Sequence, residues 1–229
     1  MVTDVDGTLT DSERRLQPES MEVIRRMTEA GIPVVLATGN VLPLALALHR
    51  FLGLASPIIA ENGGVLYHRK DGRDIVEHLA DRQVALAAYR RLVRAGLPVR
   101  RLFTDRWREA EVALEEGVSE RRIRAVLRGQ PVIVESTGYA IHLLERGAGK
   151  LPALRRALAP MGLTPGDCLA VGDGNNDVAM LRASAWAVSF SSASARARAA
   201  ADYVTRAEYG FGFVEAVIHA GVVPRPVSG

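Results

Sequence analysis

The stretch Asp4-Val5-Asp6-Gly7-Thr8-Leu9-Thr10 decides how this chain is read. Residues i and i+2 of an extended segment point to one face, so Asp4 and Asp6 share a side if a strand runs into them. A bend at Asp6, with Gly7 to let the chain turn, brings both carboxylates to a point beyond the strand's C-terminal end. Open α/β sheets place their ligands there. Two acids at one point repel unless a cation or a shared proton compensates. The stretch therefore reads as a metal site or an acid–base pair. The alternative is a plain Asp-Gly turn, since both residues are ordinary turn formers.

Short apolar runs and helical patterns alternate after it. Residues 18–30 carry Met21, Ile24 and Met27 at helical spacing, and Gly31 stops them. Pro33-Val-Val-Leu-Ala37 is wholly apolar, as a strand covered on both faces is, and ends in Thr38-Gly39-Asn40. A helix over 41–52 and a strand over Pro57-Ile-Ile-Ala60 follow, so right-handed βαβ units and a parallel sheet are expected. Glu61-Asn62-Gly63-Gly64 is a turn, and Val65-Leu-Tyr-His68 a strand closed by Lys70-Asp71-Gly72. The middle differs: helices over 81–95 and 119–127, the latter with Ser119 as N-cap, are interleaved with strands over 111–115, 131–135 and 139–144. Glu111-Val-Ala-Leu-Glu115 alternates as a half-exposed strand does. After Gly147-Ala-Gly149 the first pattern resumes, with a helix over 150–161 and the strand Cys168-Leu-Ala-Val171 running into Gly172-Asp173-Gly174-Asn175-Asn176-Asp177. A helix from Val178, a strand over 185–188, a helix over 194–201, a strand at 203–204 and a helix over 212–220 complete the order, and 224–229 is expected to fray. The expected architecture is an α/β, doubly wound parallel sheet with a small inserted α+β module. The core would occupy 1–75 and 147–229, and the insertion 76–146.

Composition narrows the function classes. With 48% hydrophobic and 24% charged residues, 229 residues suit a soluble protein with a sizeable core. No apolar run approaches the ~18 residues of a membrane span, and the acidic N-terminal stretch is no signal peptide. The single Cys168 excludes an intramolecular disulfide and a Cys-rich zinc site. A cytoplasmic protein is expected, monomeric or homodimeric. The net charge of +3 comes from arginines spread along the chain, so no nucleic-acid footprint stands out. A polyanion-binding module remains the rival of another class, to be recognised by salt-sensitive binding without metal-dependent turnover.

In a parallel sheet all strand C-termini lie on one edge, so Asp4/Asp6, Thr38-Gly39, Lys150 and Asp173/Asp177 can meet there. Four acids in one place call for a metal, and an all-oxygen set suits Mg²⁺ better than zinc. The set closely resembles the motifs of the haloacid dehalogenase-like (HAD) superfamily of phosphatases. Asp-Val-Asp-Gly-Thr at 4–8 matches the first motif, Thr38 the second, Lys150 the third, and Gly-Asp-Gly-Asn-Asn-Asp at 172–177 the fourth. The insertion looks like the α/β cap of the subgroup containing Cof-type phosphatases. The small cap, with Ala-Thr-Gly-Asn at 37–40 and Glu-Asn-Gly-Gly at 61–64, is most similar to archaeal-type phosphoglycolate phosphatases.

The resemblance implies roles. Asp4 would be the nucleophile that forms an aspartyl-phosphate, and Asp6 the acid–base. Mg²⁺ would be held by Asp4, the backbone carbonyl of Asp6, Asp173 and Asp177, the last with the alternative of holding Lys150 or a metal-bound water. Thr38, backbone N–H groups near Gly39, and Lys150 would bind the phosphoryl group. The substrate would be a small phosphate ester, 2-phosphoglycolate first. Another sugar- or cofactor-phosphate, or phosphotransfer to a hydroxyl as in a mutase, are the alternatives.

Asn40 could contact substrate or stabilise its turn, Asn176 is read as a turn residue, and Glu61 and Asn62 as turn formers near a hinge. His49 and His142 are read as packed or surface residues without ligand spacing. Arg100, Arg101, Arg106 and Arg108 are read as a solvated face, with recognition of a substrate carboxylate as the alternative. Two departures from the family pattern stand out. Only Met1-Val2-Thr3 precedes the nucleophile, which leaves neighbouring strands short of partners and suggests a start assigned too far downstream, or a truncation. Val188-Ser-Phe-Ser-Ser192 carries serine where relatives tend to have a site-supporting asparagine.

Overall fold

The computed structural model describes residues 1–222, so the fraying expected of 224–229 lies outside the described residues. The chain begins with β1 (Val2–Thr3), α1 (Pro18–Glu29), β2 (Val35–Ala37), α2 (Leu42–Phe51), β3 (Ile58–Ala60), β4 (Val65–Lys70) and β5 (Arg73–His78). It continues through α3 (Arg82–Arg94), β6 (Val112–Glu115), α4 (Glu120–Val126), β7 (Val132–Ser136) and β8 (Ala140–Glu145). It ends with α5 (Lys150–Leu158), β9 (Leu169–Val171), α6 (Val178–Ala183), β10 (Trp186–Phe190), α7 (Ala195–Arg198), β11 (Tyr203–Thr205) and α8 (Tyr209–His219).

One eight-stranded sheet runs β11-β10-β9-β1-β2-β3-β4-β5. Its first six strands are parallel, as the apolar runs imply. The last two are antiparallel, because turns replace crossover helices there. A strand over Arg73–His78 goes unannounced in the sequence, since its exposed edge position needs no apolar face. It pairs with β4 along its whole length, so residue 76 lies inside a strand of the large sheet.

The first strand is short, and so are its neighbours: β2 and β9 have three residues each. Pairing runs past both ends of β1. The Val35 N–H donates to the Met1 carbonyl at 2.9 Å, and the Asp4 N–H donates to the Val171 carbonyl at 3.0 Å. Val2, Leu36, Ile58, Ile59, Val171 and Val188 are out of solvent altogether. At ~1.5–3 kcal/mol per buried aliphatic side chain, these few positions fix the register that puts the strand ends level.

The second sheet is antiparallel, in the order β6-β8-β7. Asp81 caps α3 by accepting the Gln83 N–H, and Ser119 caps α4 by accepting the Arg122 N–H. Val112, Leu114 and Leu143 join Leu92 and Ile123 in a core of their own. The half-exposed character expected of residues 111–115 is corrected here: Glu111, Val112, Ala113 and Leu114 are all buried. Polar alternation marks a face that is not apolar, and here Glu111 of that face meets the rest of the protein while Glu115 stays exposed. Among the described residues, no helix is long and apolar enough to cross a membrane.

Candidate active site

Asp4 follows β1 directly, and its side chain is buried beneath the carboxyl edge of the parallel strands. Gly7 then turns the chain with φ +77°, and a Cβ there would come within 2.5 Å of Asp173 Oδ2. The glycine is therefore needed twice, for its conformation and for the closeness of the two acidic loops. The Thr8 hydroxyl donates to Asp173 Oδ1 at 3.0 Å, tying the first loop to the one after β9.

Lys150 opens α5, and its long side chain is fully buried. Its Nζ donates to Asp4 Oδ1 at 2.8 Å and to Asp177 Oδ1 at 2.7 Å. Burial alone would lower its pKa, but the charges of Asp177 and Asp4 outweigh that and raise it, so the ammonium is permanent. Asp177 Oδ2 accepts the backbone N–H groups of Asp173 and Gly174 at 3.1 and 2.8 Å, which folds the loop onto the start of the next helix. Burial pushes Asp173 up to about 6, helped by the charge of Asp177. Burial also raises Asp4 well above the usual carboxylate range, with Lys150 opposing.

Oxygens of Asp4, Asp173 and Asp177 lie within 4.8 Å of one another. One ammonium faces three carboxylates, and this surplus of negative charge together with an all-oxygen donor set fits a hard divalent cation. Asp177 spends both its oxygens on Lys150 and on backbone N–H groups, which favours the anchoring alternative for it. The Asp6 carboxylate stands apart from this cluster, and its Oδ2 accepts from Asn40 Nδ2 at 2.6 Å.

Thr38 ends β2; its Oγ1 accepts the Asn40 N–H at 3.0 Å, and its hydroxyl proton is donated to no neighbour among the described residues. Gly39 and Asn40 line the same cavity as Asp4, Asp6, Gly7 and Asp173, a space of about 380 Å³. Another cavity, of about 970 Å³, lies at the opposite sheet edge beside Pro33 and Pro57 and holds none of these acids. All seven residues singled out from the sequence thus gather at one strand edge, and all but Thr38 form a connected set of buried charges and hydrogen bonds or line the cavity beside it. Within the serine-bearing stretch 188–192, the Ser189 hydroxyl donates to the Gly172 carbonyl at 2.9 Å, just ahead of Asp173.

Other participants were not legible beforehand. The Glu61 carboxylate is no mere turn former: it accepts the N–H groups of Glu109, Ala110 and Glu111 at 2.9–3.3 Å. Burial and the charge of Glu111 push its pKa up to about 7. Gly63, at φ +93°, lets this turn press on the Gly149 carbonyl, where a Cβ would lie at 2.1 Å. Asn176 donates to Asn62 Oδ1 at 2.9 Å, and Asn62 donates to Glu111 Oε2 at 3.0 Å. Glu111 also pairs with Arg108 and with His142 Nδ1, the latter at 2.9 Å. Arg108 is only 4% exposed, so the solvated-face reading fails for it, and it donates to the Gly39 carbonyl at 3.0 Å. The Arg14 guanidinium, on a residue with φ 65°, stacks 3.6 Å from the centre of the Tyr139 ring. Arg14, Leu102, Thr104, Arg108, Tyr139 and His142 close the cavity from the side facing the acids.

The model of the haloacid dehalogenase-like hydrolases matches residues 1–107 and 105–216. The chain is 40% identical over 222 residues to the phosphoglycolate phosphatase of Methanoculleus marisnigri, covering 95% of this chain and 94% of that relative. It is 38% identical over 217 residues to the phosphoglycolate phosphatase of Methanothermobacter thermautotrophicus, covering 95% and 96%. Among solved structures, Thermoplasma acidophilum 0175 superposes with a TM-score of 0.85 at 26% identity, over 97% of both chains. The sugar phosphatase BT4131, of HAD subclass IIB, shares the fold with a TM-score of 0.77 at 20% identity, over 97% and 98%. With the four motifs gathered at one sheet edge and relatives of this likeness along its whole length, the chain belongs to the haloacid dehalogenase-like hydrolases.

Proposed function

We infer that this chain is a Mg²⁺-dependent phosphomonoesterase of small metabolites, with 2-phosphoglycolate the favoured substrate. The observation that carries the reading is the meeting of Asp4, Asp173 and Asp177 around one buried lysine, with Asp4 and Asp173 lining a cavity. The names of the archaeal relatives support the substrate.

Asp4 attacks the phosphoryl group. Its Oδ1 is engaged by Lys150, and the neighbouring ammonium favours the anionic carboxylate that attack requires. The phosphorus–oxygen bond to the leaving alkoxide breaks as the Asp4–phosphorus bond forms, and Asp6 gives that alkoxide its proton. Asn40 steers Asp6 by donating to one of its oxygens. Asp6, now ionised, takes a proton from the water that attacks the aspartyl-phosphate, which returns Asp4 and releases phosphate. The Thr38 hydroxyl, backbone N–H groups near Gly39 and the Lys150 charge bind the phosphoryl oxygens. Asp4, Asp173 and the Asp6 backbone carbonyl would hold Mg²⁺, with Asp177 fixing Lys150 and the loop; when bound, the ion shields nucleophile from phosphate and polarises the phosphoryl oxygen.

The α3–β8 module acts as a cap over this floor, and we place its boundaries after β5 and before α5. Covering the cavity excludes bulk water and disfavours macromolecular substrates. A panel of phosphate esters with and without Mg²⁺ tests the reading. The expected result is Mg²⁺-dependent hydrolysis of 2-phosphoglycolate that disappears in Asp4→Asn. Phosphate release from Asp4→Asn at the unmutated rate would overturn it.

A further inference from the structure

The cap side of the cavity carries a dyad that the phosphoryl chemistry leaves unused. Glu111 stands just ahead of β6 and His142 on its partner strand β8, and both are buried. Glu111 stays ionised although it is buried: burial would raise its pKa, but His142, Arg108 and Asn62 together bring it below the usual range. An ionised Oε1 can only accept, so His142 Nδ1 carries the proton of their 2.9 Å hydrogen bond. That assigns the other ring nitrogen. Among the described residues Nε2 makes no hydrogen bond, and His142 lines the catalytic cavity.

Arg108 stands on the same wall. One of its guanidinium nitrogens is committed to Gly39 and Glu111, while its Nε is buried without a partner. A buried donor left unpaired costs ~1–3 kcal/mol, which a ligand oxygen would recover. The floor of the cavity is acidic and suits a metal-bound phosphate; the wall across from it offers an imidazole and a guanidinium. A ligand reaching from one to the other within this cavity of about 380 Å³ would suit both if it carried negative charge at both ends.

We propose that His142, oriented by Glu111 and seated beside Arg108, binds the carboxylate of a phosphorylated 2-hydroxy acid and so selects such esters over those with neutral tails. Resting on the hydrolase reading, it adds the residues that choose the leaving group. In the complex both ring nitrogens donate, Nε2 to the carboxylate and Nδ1 to Glu111. The dyad holds the ring's angle, and the cap sheet holds the dyad. A packed histidine would serve the fold equally well for every substrate; a recognising one would not.

The test compares kcat/KM for 2-phosphoglycolate and ethyl phosphate, whose tails differ in the carboxylate. The unmodified enzyme should favour 2-phosphoglycolate by about tenfold or more, the scale of one hydrogen bond to a charged group. His142→Asn retains an amide where Nδ1 stands and loses Nε2, while His142→Gln restores a donor near the Nε2 position. His142→Asn should lose about tenfold more on 2-phosphoglycolate than on ethyl phosphate, mostly in KM, and His142→Gln should regain part of the difference. Equal losses on both esters, or no preference in the unmodified enzyme, would overturn the assignment. Ethyl phosphate turnover that needs Asp4 but shows no carboxylate preference sinks this inference alone. Turnover of neither ester sinks the hydrolase reading with it.

Discussion

At Lys150 two ion pairs meet where no solvent reaches. Removing one partner of a buried pair costs ~3–5 kcal/mol, because the charge left behind has lost its compensation. Lys150→Met should therefore melt well below the unmodified protein in EDTA and closer to it in Mg²⁺, where a cation takes up the charge of Asp4 and Asp173. The same substitution should lower kcat by about 10²–10³, the scale of one lost electrostatic contact to the transition state. Equal melting deficits with and without Mg²⁺ would contradict the charge count. Glu61 gives a pH signature of the hinge. Its pKa is raised from 4.5 to about 7 by burial, so the folded state binds more protons than the unfolded one between those values. Its contribution to stability is fully present below about pH 4.5 and is lost as pH rises through about 7. The melting temperature of the unmodified protein minus that of Glu61→Gln should thus fall between pH 5 and pH 8; a difference constant with pH would count against this. The meeting of Asp4, Lys150 and Asp173 was legible because each lies in a short motif beside a strand end. Glu111 and His142 were not: they are 31 residues apart and meet only because β6 pairs with β8 in the register Ala113↔His142.

The elements that a period of two or 3.6 announces are the ones the structure contains, from α1 to β10. The exceptions share a cause. β5 is an exposed edge with no apolar face to announce it, and the burial of β6 was missed because Glu111, just ahead of it, is buried against other protein. The contacts between cap and core are also of this kind. Arg14 reaches Tyr139 across the mouth of the cavity, and Glu61 takes three N–H groups from the segment ahead of β6. A stacked guanidinium contributes ~0.5–1 kcal/mol at an exposed site. Tyr139→Ala should accordingly raise KM for 2-phosphoglycolate by a few-fold with a smaller change in kcat, as read from steady-state kinetics. A change confined to kcat would mean that the stack does not help to close the cap over substrate.

The whole molecule is a largely parallel sheet whose carboxyl edge gathers carboxylates and whose cap sets a guanidinium and an imidazole across the cavity from them. Such a layout predicts linkage between metal and fold: if Mg²⁺ binds the assembled carboxylates and not the unfolded chain, as proposed, the melting temperature should climb with Mg²⁺ concentration. Asp173→Asn should abolish most of that climb, and its persistence at full size would remove Asp173 from the metal set. The fold class was readable from the order of apolar runs. The size and wall chemistry of the cavity were not, since they arise where α3–β8 settles on the strand edge. The central claim is that Asp4 becomes covalently phosphorylated. Asp6→Asn, given an aryl phosphate whose leaving group needs no proton, should complete the first step and stall at the second. Acid quench followed by peptide mass analysis should then find one phosphoryl group on the peptide bearing Asp4, removable by hydroxylamine. Release of the aryl alcohol with no phosphoryl group on that peptide would contradict the account.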